Sequence, residues 1–222
     1  MDVAVIVTAI LVSGRLRLFV QSLKAFHPDI KIYIGAQGAL TPPIDDLKSI
    51  ANVEIVELPF DCGISAARNA LIARASEPYV LICDDDFIFT AENGIFAARS
   101  IFDAHPDICI VGGRLKEFAY LGDGTARSSG EQAPAHNFIH DSGLQVLIKY
   151  PISLLRPEPI VHRDRRAYAC DMVLNFCLIH KELIVDRGFR WDERIKIYGR
   201  GLTRSTRIPS AAPICQIMQL GF

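Results

Sequence analysis

Apolar residues in this chain alternate between two textures, unbroken β-branched runs and stripes spaced three and four apart. Val3–Ala9 is an unbroken run, the pattern of a strand covered on both faces. In the "SGRLRLFVQSLKAF" that follows, Leu16, Phe19, Val20 and Leu23 fall on one helical stripe. The alternation continues with a strand at "KIYIGA" (31–36), a short Pro-started helix in "PPIDDLKSIA" and a strand at "VEIVELPF" (53–60). A helix over "ISAARNALIARA" (64–75) and a strand at Tyr79–Cys83 complete this part of the pattern. Thr90 reads as the N-cap of a helix whose Ile95, Ala98, Ile101 and Phe102 share a face, and "DICIVGG" (107–113) is the next strand.

From about Ala119 to Asn137 the chain turns polar and rich in Gly, Ser and Ala, which reads as a long loop. Strand-like segments at "LQVLIKY" (144–150) and "VLNFCLIH" (173–180) follow, joined by a Pro- and Arg-rich connection in which "VHRDRRAY" (161–168) reads as a solvated loop. Strands alternating with helices predict an α/β fold with a mostly parallel sheet flanked by helices.

Composition changes this picture little. The chain has 222 residues, half of them apolar, enough for a substantial core, and 24 basic against 25 acidic side chains. That balance gives no general reason to bind nucleic acid. The apolar stretch near the N-terminus follows Asp2 and is too short to span a bilayer, so it reads as a first strand rather than a signal or an anchor. The six cysteines, at 62, 83, 109, 170, 177 and 215, have no CxxC spacing and read as buried reduced thiols of a cytosolic protein.

The chemistry concentrates in "YVLICDDDFIFT", where an apolar strand ends in Asp84, Asp85 and Asp86 and apolar Phe87, Ile88 and Phe89 follow, expected to turn inward. Ligands of open α/β sheets bind beyond the carboxyl ends of the strands. Three carboxylates at such an end repel one another and favour a counter-cation. Continued alternation would point Asp84 and Asp86 the same way, a hard oxygen pair suited to Mg²⁺ or Mn²⁺. Upstream, "DCGISAARN" supplies a glycine loop, a helix N-terminus and Arg68, which together suit a diphosphate.

The order G-x-S-A-A-R-N, a short helix, then Y-V-L-I-C-D-D-D-F resembles the nucleotide-sugar half of family-2-type inverting glycosyltransferases of the GT-A fold. It is most similar to the branch that includes the ganglioside N-acetylgalactosaminyltransferases. The opening segment, "IVGGRLKEF" and "CDMVLNFCLIHKELIVDRGFRWDERIKI" extend the likeness over roughly residues 3–198. The resemblance implies a nucleotide-sugar-binding half at 1–113, an acceptor-side half of the same domain at 114–198, and an atypical tail at 199–222. It also implies Thr8 beside the nucleotide base, with Arg68, Asp84 and Asp85 among the donor contacts. Asp84 would touch the ribose or a metal-bound water, and Asp86 would ligate a Mn²⁺ or Mg²⁺ bridging the phosphates. The implied reaction is metal-dependent transfer, with inversion, from a UDP-sugar to a glycan or lipid-linked acceptor. The implied setting is the cytoplasm, with peripheral association at the inner membrane face.

Two departures qualify this. Where the family commonly carries an Asp pair after the second strand, this chain has Ala36 and Gln37, whose amide can meet a base edge. Where the family places an acidic, His-containing segment with the general base, Gly199–Phe222 contains no Asp, Glu or His. Asp171 and Asp192 are then the candidate bases, and Trp191 is a candidate sugar platform or a core anchor. A nucleotide-sugar-binding remnant without transfer stays open beside the enzyme. A nucleotidyltransferase is a weaker alternative, because "AILVSGRLR" offers only Gly14 and two arginines as a phosphate loop.

Overall fold

The computed structural model describes residues 2–12, 14–91, 93–113, 115–120, 126–132, 137–141, 144–148, 159–163, 165–169, 173, 176–196, 202–204 and 216–221. The first half follows the sequence pattern closely: β1 (Val3–Val12), α1 (Gly14–Phe26), β2 (Lys31–Thr41), a 3₁₀ turn (Asp45–Ser49), β3 (Val53–Leu58), α2 (Ile64–Arg74) and β4 (Tyr79–Cys83). Then come α3 (Ile95–Ala104) and β5 (Ile108–Gly112). The strands β1 to β4 pair in parallel in the order β3-β2-β1-β4. Because the chain leaves β1 on one side through β2 and β3 and returns on the other through β4, the carboxyl ends of β1 and β4 form a switch-point crevice.

Two-sided burial explains the unbroken runs. In β1, Val3, Val5, Val7 and Ala9 face a core shared with the α1 stripe and with Ile95, Ala98, Ile101 and Phe102 of α3. Ala4 and Ile6 face a second core with Leu71 and Ile72 of α2. Tyr79, Leu81 and Cys83 of β4 join the first core and Val80 and Ile82 the second. Each strand therefore needs apolar residues at every position.

The second half departs from expectation. The segment expected as a loop carries β7 (Ala126–Gln132), which pairs antiparallel with β6 (Leu115–Tyr120) just before it, and β8 (Asn137–Asp141) pairs with β9 (Leu144–Ile148), where a strand was expected. Cross-strand pairing can hold a polar strand that lacks an apolar face, and hydrophobic periodicity does not register it. The basic run is also a hairpin, β10 (Ile160–His162) with β11 (Arg165–Ala169), turning at Arg163 with φ 57°. β12 (Cys177–His180) starts later than its apolar pattern and lies antiparallel between β4 and β5. β13 (Phe189–Trp191) pairs with β14 (Leu202–Arg204), and β15 (Gln216–Gly221) joins the sheet between β5 and β11. The result is a nine-stranded, mixed sheet, β10-β11-β15-β5-β12-β4-β1-β2-β3.

Three further expectations need correction. Thr90 does not cap α3: the helix starts beyond Gly94, and the Thr90 carbonyl instead accepts the Asn93 N–H and the Asn93 side-chain amide. Ile88 does not turn inward but stands 55% exposed. Nor are all the cysteines thiols, for Cys109 is disulfide-bonded while Cys62, Cys83 and Cys177 are free. Among the described residues no helix is long and apolar enough to cross a membrane.

His180, in β12, lies edge-on to Tyr79 at 4.8 Å and to Phe102 at 5.9 Å, with its Nδ1 buried and unpaired. Burial pushes this imidazole below its ordinary value. A base depressed in the folded state binds its proton better when unfolded, so stability is lost as pH falls below about 6.5. His180→Phe should therefore lose less stability than the parent between pH 6.5 and 5 in chemical denaturation, and equal acid sensitivity would refute this.

Candidate functional site

The site grows from the end of β4. Val7 pairs with Cys83 across the β1–β4 ladder, so Thr8 and Asp84 stand one residue beyond on the two lips of the crevice. Thr8 is half-buried. The strand stops at Cys83 because the chain turns: Phe87 N–H donates to the Asp84 carbonyl at 3.4 Å, with Asp85 and Asp86 at the bend. Alternation therefore ends, and Asp84 and Asp86 are not a pair on one strand face. Asp84 Oδ1 meets the Arg68 guanidinium at 3.4 Å, and Asp86 Oδ2 meets Arg15 at 3.4 Å. Between them, burial with Asp86 and Asp84 alongside raises the Asp85 carboxyl above its ordinary value.

An aromatic cluster holds the turn from below. Phe89 is buried, edge-on to Phe19 of α1 at 5.6 Å and 6.1 Å from Phe176, and Phe87 meets Phe176 at 5.8 Å. The Phe89 N–H donates to Ser22 Oγ at 3.1 Å. Thus Phe89 anchors the loop to α1, while Phe87 leans on Phe176 and Ile88 stays exposed.

Arg68 lies on the inner side of α2 with its side chain only 4% exposed, which excludes a solvated helix face. The N-terminus of α2 is less open than the sequence suggests. Gly63 N–H donates to Gln37 Oε1 at 3.2 Å, and Ile64 N–H to the Lys196 carbonyl at 3.1 Å, so neither is left for a diphosphate. Gln37 is buried, and its oxygen also accepts from Cys62 Sγ at 3.4 Å. It serves first as the cap of α2.

Residues 191–196 strap across the same helix end. Ser65 Oγ donates to the Ile195 carbonyl at 2.9 Å. Asn69 Nδ2 donates to the Trp191 carbonyl at 3.0 Å and to Glu193 at 2.8 Å, while its Oδ1 accepts the Trp191 N–H at 3.0 Å. A Cβ on Gly63, at φ 88°, would stand 2.9 Å from Lys196 Cα, so glycine lets the strap approach. Asn69 closes the G-x-S-A-A-R-N motif, but no local signal announces what it holds, because its partners lie 122 and 124 residues away.

Of the candidate bases, Asp192 is held by Arg194: its carboxylate takes guanidinium contacts at 2.8 and 2.5 Å and the Arg194 N–H at 3.1 Å. That holds it at about 2, a poor proton acceptor near neutrality. Asp171 lies outside the described residues. Trp191 is 4% exposed in the second core, which makes it an anchor and removes it as a sugar platform. A groove of about 250 Å³ between α2 and β13 is lined by Asn69, Lys181, Arg190 and Trp191 but by none of the crevice residues.

The crevice donors fit a divalent cation: hard carboxylate oxygens at an open rim, one of whose carboxyls is held above its ordinary value by burial and then by the neighbouring aspartates. Among the described residues no three His, Cys, Asp or Glu side chains are grouped so as to hold a metal ion, so the crevice offers at most two carboxylates. The remaining positions would fall to ligand oxygens and water.

The family profile described as "Glycosyl transferase family 2" matches residues 4–151, more than half of the chain and the whole of this crevice. The chain belongs to glycosyl transferase family 2. Curated relatives of this family 2 chain include beta-1,4 N-acetylgalactosaminyltransferase 1 of Mus musculus, 31% identical over 105 residues. Another is beta-1,4 N-acetylgalactosaminyltransferase 2 of Mus musculus, 28% identical over 106 residues. These alignments cover 47% and 48% of this chain but only 19% and 20% of the relatives, so it spans a small part of their length. Among solved structures, S. aureus TarS 1-349 superposes with a TM-score of 0.57 at 14% identity, covering 90% of this chain and 53% of that one. The same protein in complex with UDP-GlcNAc gives 0.52 at 12% identity, covering 90% and 51%. The likeness carries the GT-A fold across, and the mixed sheet with its β1–β4 crevice is that fold.

Proposed function

We propose that the crevice binds a nucleoside diphosphate-sugar, UDP-linked, with a divalent cation, and that the domain transfers the sugar with inversion to a glycan or lipid-linked acceptor. The observation that carries this reading is the carboxylate turn closing β4, with buried Arg68 on one side and Thr8 across the crevice. Asp86 and Asp84 would hold Mn²⁺ or Mg²⁺, and the ion would supply positive charge as the diphosphate departs. Arg68 adds a fixed guanidinium to the same anion. Thr8 borders the base, Asp84 the ribose, and Asp85 joins the donor contacts. Gln37, with its oxygen committed to Gly63 and Cys62, can present only its amide NH₂ to a base.

Proton removal from the acceptor needs a base, and Asp171 is the better candidate because Asp192 is bound to Arg194. The same observation favours a second reading, a donor-binding domain that does not transfer sugar. The 1–113 and 114–198 halves are the donor and acceptor sides in the first reading, with 199–222 departing from the family pattern. An acceptor at a membrane face suits either reading. The Cys109 disulfide weighs against a strongly reducing cytosol.

Calorimetric titration of UDP with and without Mn²⁺, on the chain and on Asp86→Ala, tests the site. Mn²⁺-dependent binding that the variant loses is expected. Turnover of a UDP-sugar then separates transferase from binder, and a folded chain that ignores UDP would defeat both readings.

A further inference from the structure

Two arginines bracket the carboxylate turn, and their surroundings differ in a way that assigns them different tasks. Arg68 is enclosed, its side chain 4% exposed, and reaches Asp84 Oδ1. Arg15, at the start of α1, is 74% exposed and reaches Asp86 Oδ2. Packing fixes the first guanidinium; the second is free to leave.

The energetics favour that departure. An exposed ion pair of this kind contributes little to stability. A divalent cation brings twice the charge to the same oxygen and binds it at about 2.1 Å, against 3.4 Å for the guanidinium. The cation would therefore displace Arg15 from Asp86. Charge balance then changes sign: three aspartates and two arginines carry one net negative charge, and a divalent cation makes it one net positive. Only the second state attracts a diphosphate. Released Arg15 stays tethered at the mouth of the crevice, in the first turn of a helix whose first turn has no acidic residue.

We propose that Arg15 is a resident counter-ion that yields Asp86 to the incoming cation and then pairs with the diphosphate of the donor. This rests on reading the turn as the donor site. It gives the exposed arginine opposite effects on the two ligands, opposing the cation and favouring the nucleotide, and thereby orders their binding.

The test measures two affinities of the full chain, for Mn²⁺ alone and for UDP at saturating Mn²⁺, in the parent, Arg15→Ala and Arg15→Lys. Arg15→Ala should bind Mn²⁺ about three-fold more tightly, as loss of an exposed pair allows. It should bind UDP about ten-fold more weakly, as loss of a charge-assisted hydrogen bond predicts. Arg15→Lys should fall between parent and alanine on both scales. Affinities that stay unchanged in Arg15→Ala, or move in the same direction, overturn the counter-ion assignment while leaving the donor site standing. A parent chain that binds neither Mn²⁺ nor UDP overturns the donor-site reading and this proposal with it. Because Arg15 is exposed, an unchanged melting temperature is expected.

Discussion

Arg68→Met is expected to abolish Mn²⁺-dependent UDP binding and to destabilise the fold at once. Methionine keeps most of the apolar stem and removes the guanidinium, so Asp84 loses its ion pair with Arg68. Breaking a fully buried ion pair costs about 3–5 kcal/mol, and a partner in contact with water lowers that figure. Asp84 is 35% exposed, which places this pair at about 3 kcal/mol, the bottom of that range. On the proposed reading the binding loss is larger in effect, because the variant removes a fixed guanidinium that would pair with the diphosphate. Urea denaturation and UDP titration check the two parts separately. Arg68→Lys should recover part of the stability and little of the binding, since a point charge does not reproduce the guanidinium fork. A methionine variant with parental stability and parental UDP affinity would remove Arg68 from the site.

The second large effect is expected at Phe89, which is buried beneath the turn. Phe89→Ala opens a cavity between Phe19 and Phe176 and should cost about 3–5 kcal/mol, the range for truncating a buried aromatic. The turn that carries Asp84–Asp86 is then held at one end only, so UDP affinity should fall even in those molecules that remain folded. Ile88→Ala, at a neighbouring exposed position, should change stability by no more than about 0.5 kcal/mol. Denaturation midpoints of the two variants give the comparison, and equal effects would show that the aromatic cluster does not hold the turn.

What the sequence made legible follows from which residues speak locally. The strands from β1 to β5 and the helices between them could be read because each position faces one of two apolar cores, and that constraint writes itself into runs and stripes. The strands at 126–132 and 160–169 could not, because β7 is polar almost throughout and the arginines of the second hairpin hide the buried Ala167 and Tyr168 beside them. Asp84–Asp86 and Arg68 were conspicuous as a charge cluster and a motif. Their connections were not: the turn after Cys83 sends neighbouring aspartates to different arginines, and Gln37 caps a helix 26 residues away. Asn69 stood in the same motif as Arg68, but its task was hidden because its partners come from the far end of the fold.

The placement of β12 also fixes the order in which the molecule can be assembled. The strands β1 to β4 are made in sequence and pair with near neighbours, so a four-stranded sheet with its crevice can form early during synthesis. Its outer margin is then β4, whose residues Tyr79–Cys83 are apolar throughout and carry no charge to deter another chain. Only when Cys177–His180 arrives is that margin covered on the side away from β1. Between those two moments the strand that leads into the carboxylate turn is the nascent chain's most adhesive surface, and a chaperone or rapid completion of the chain has most to protect there.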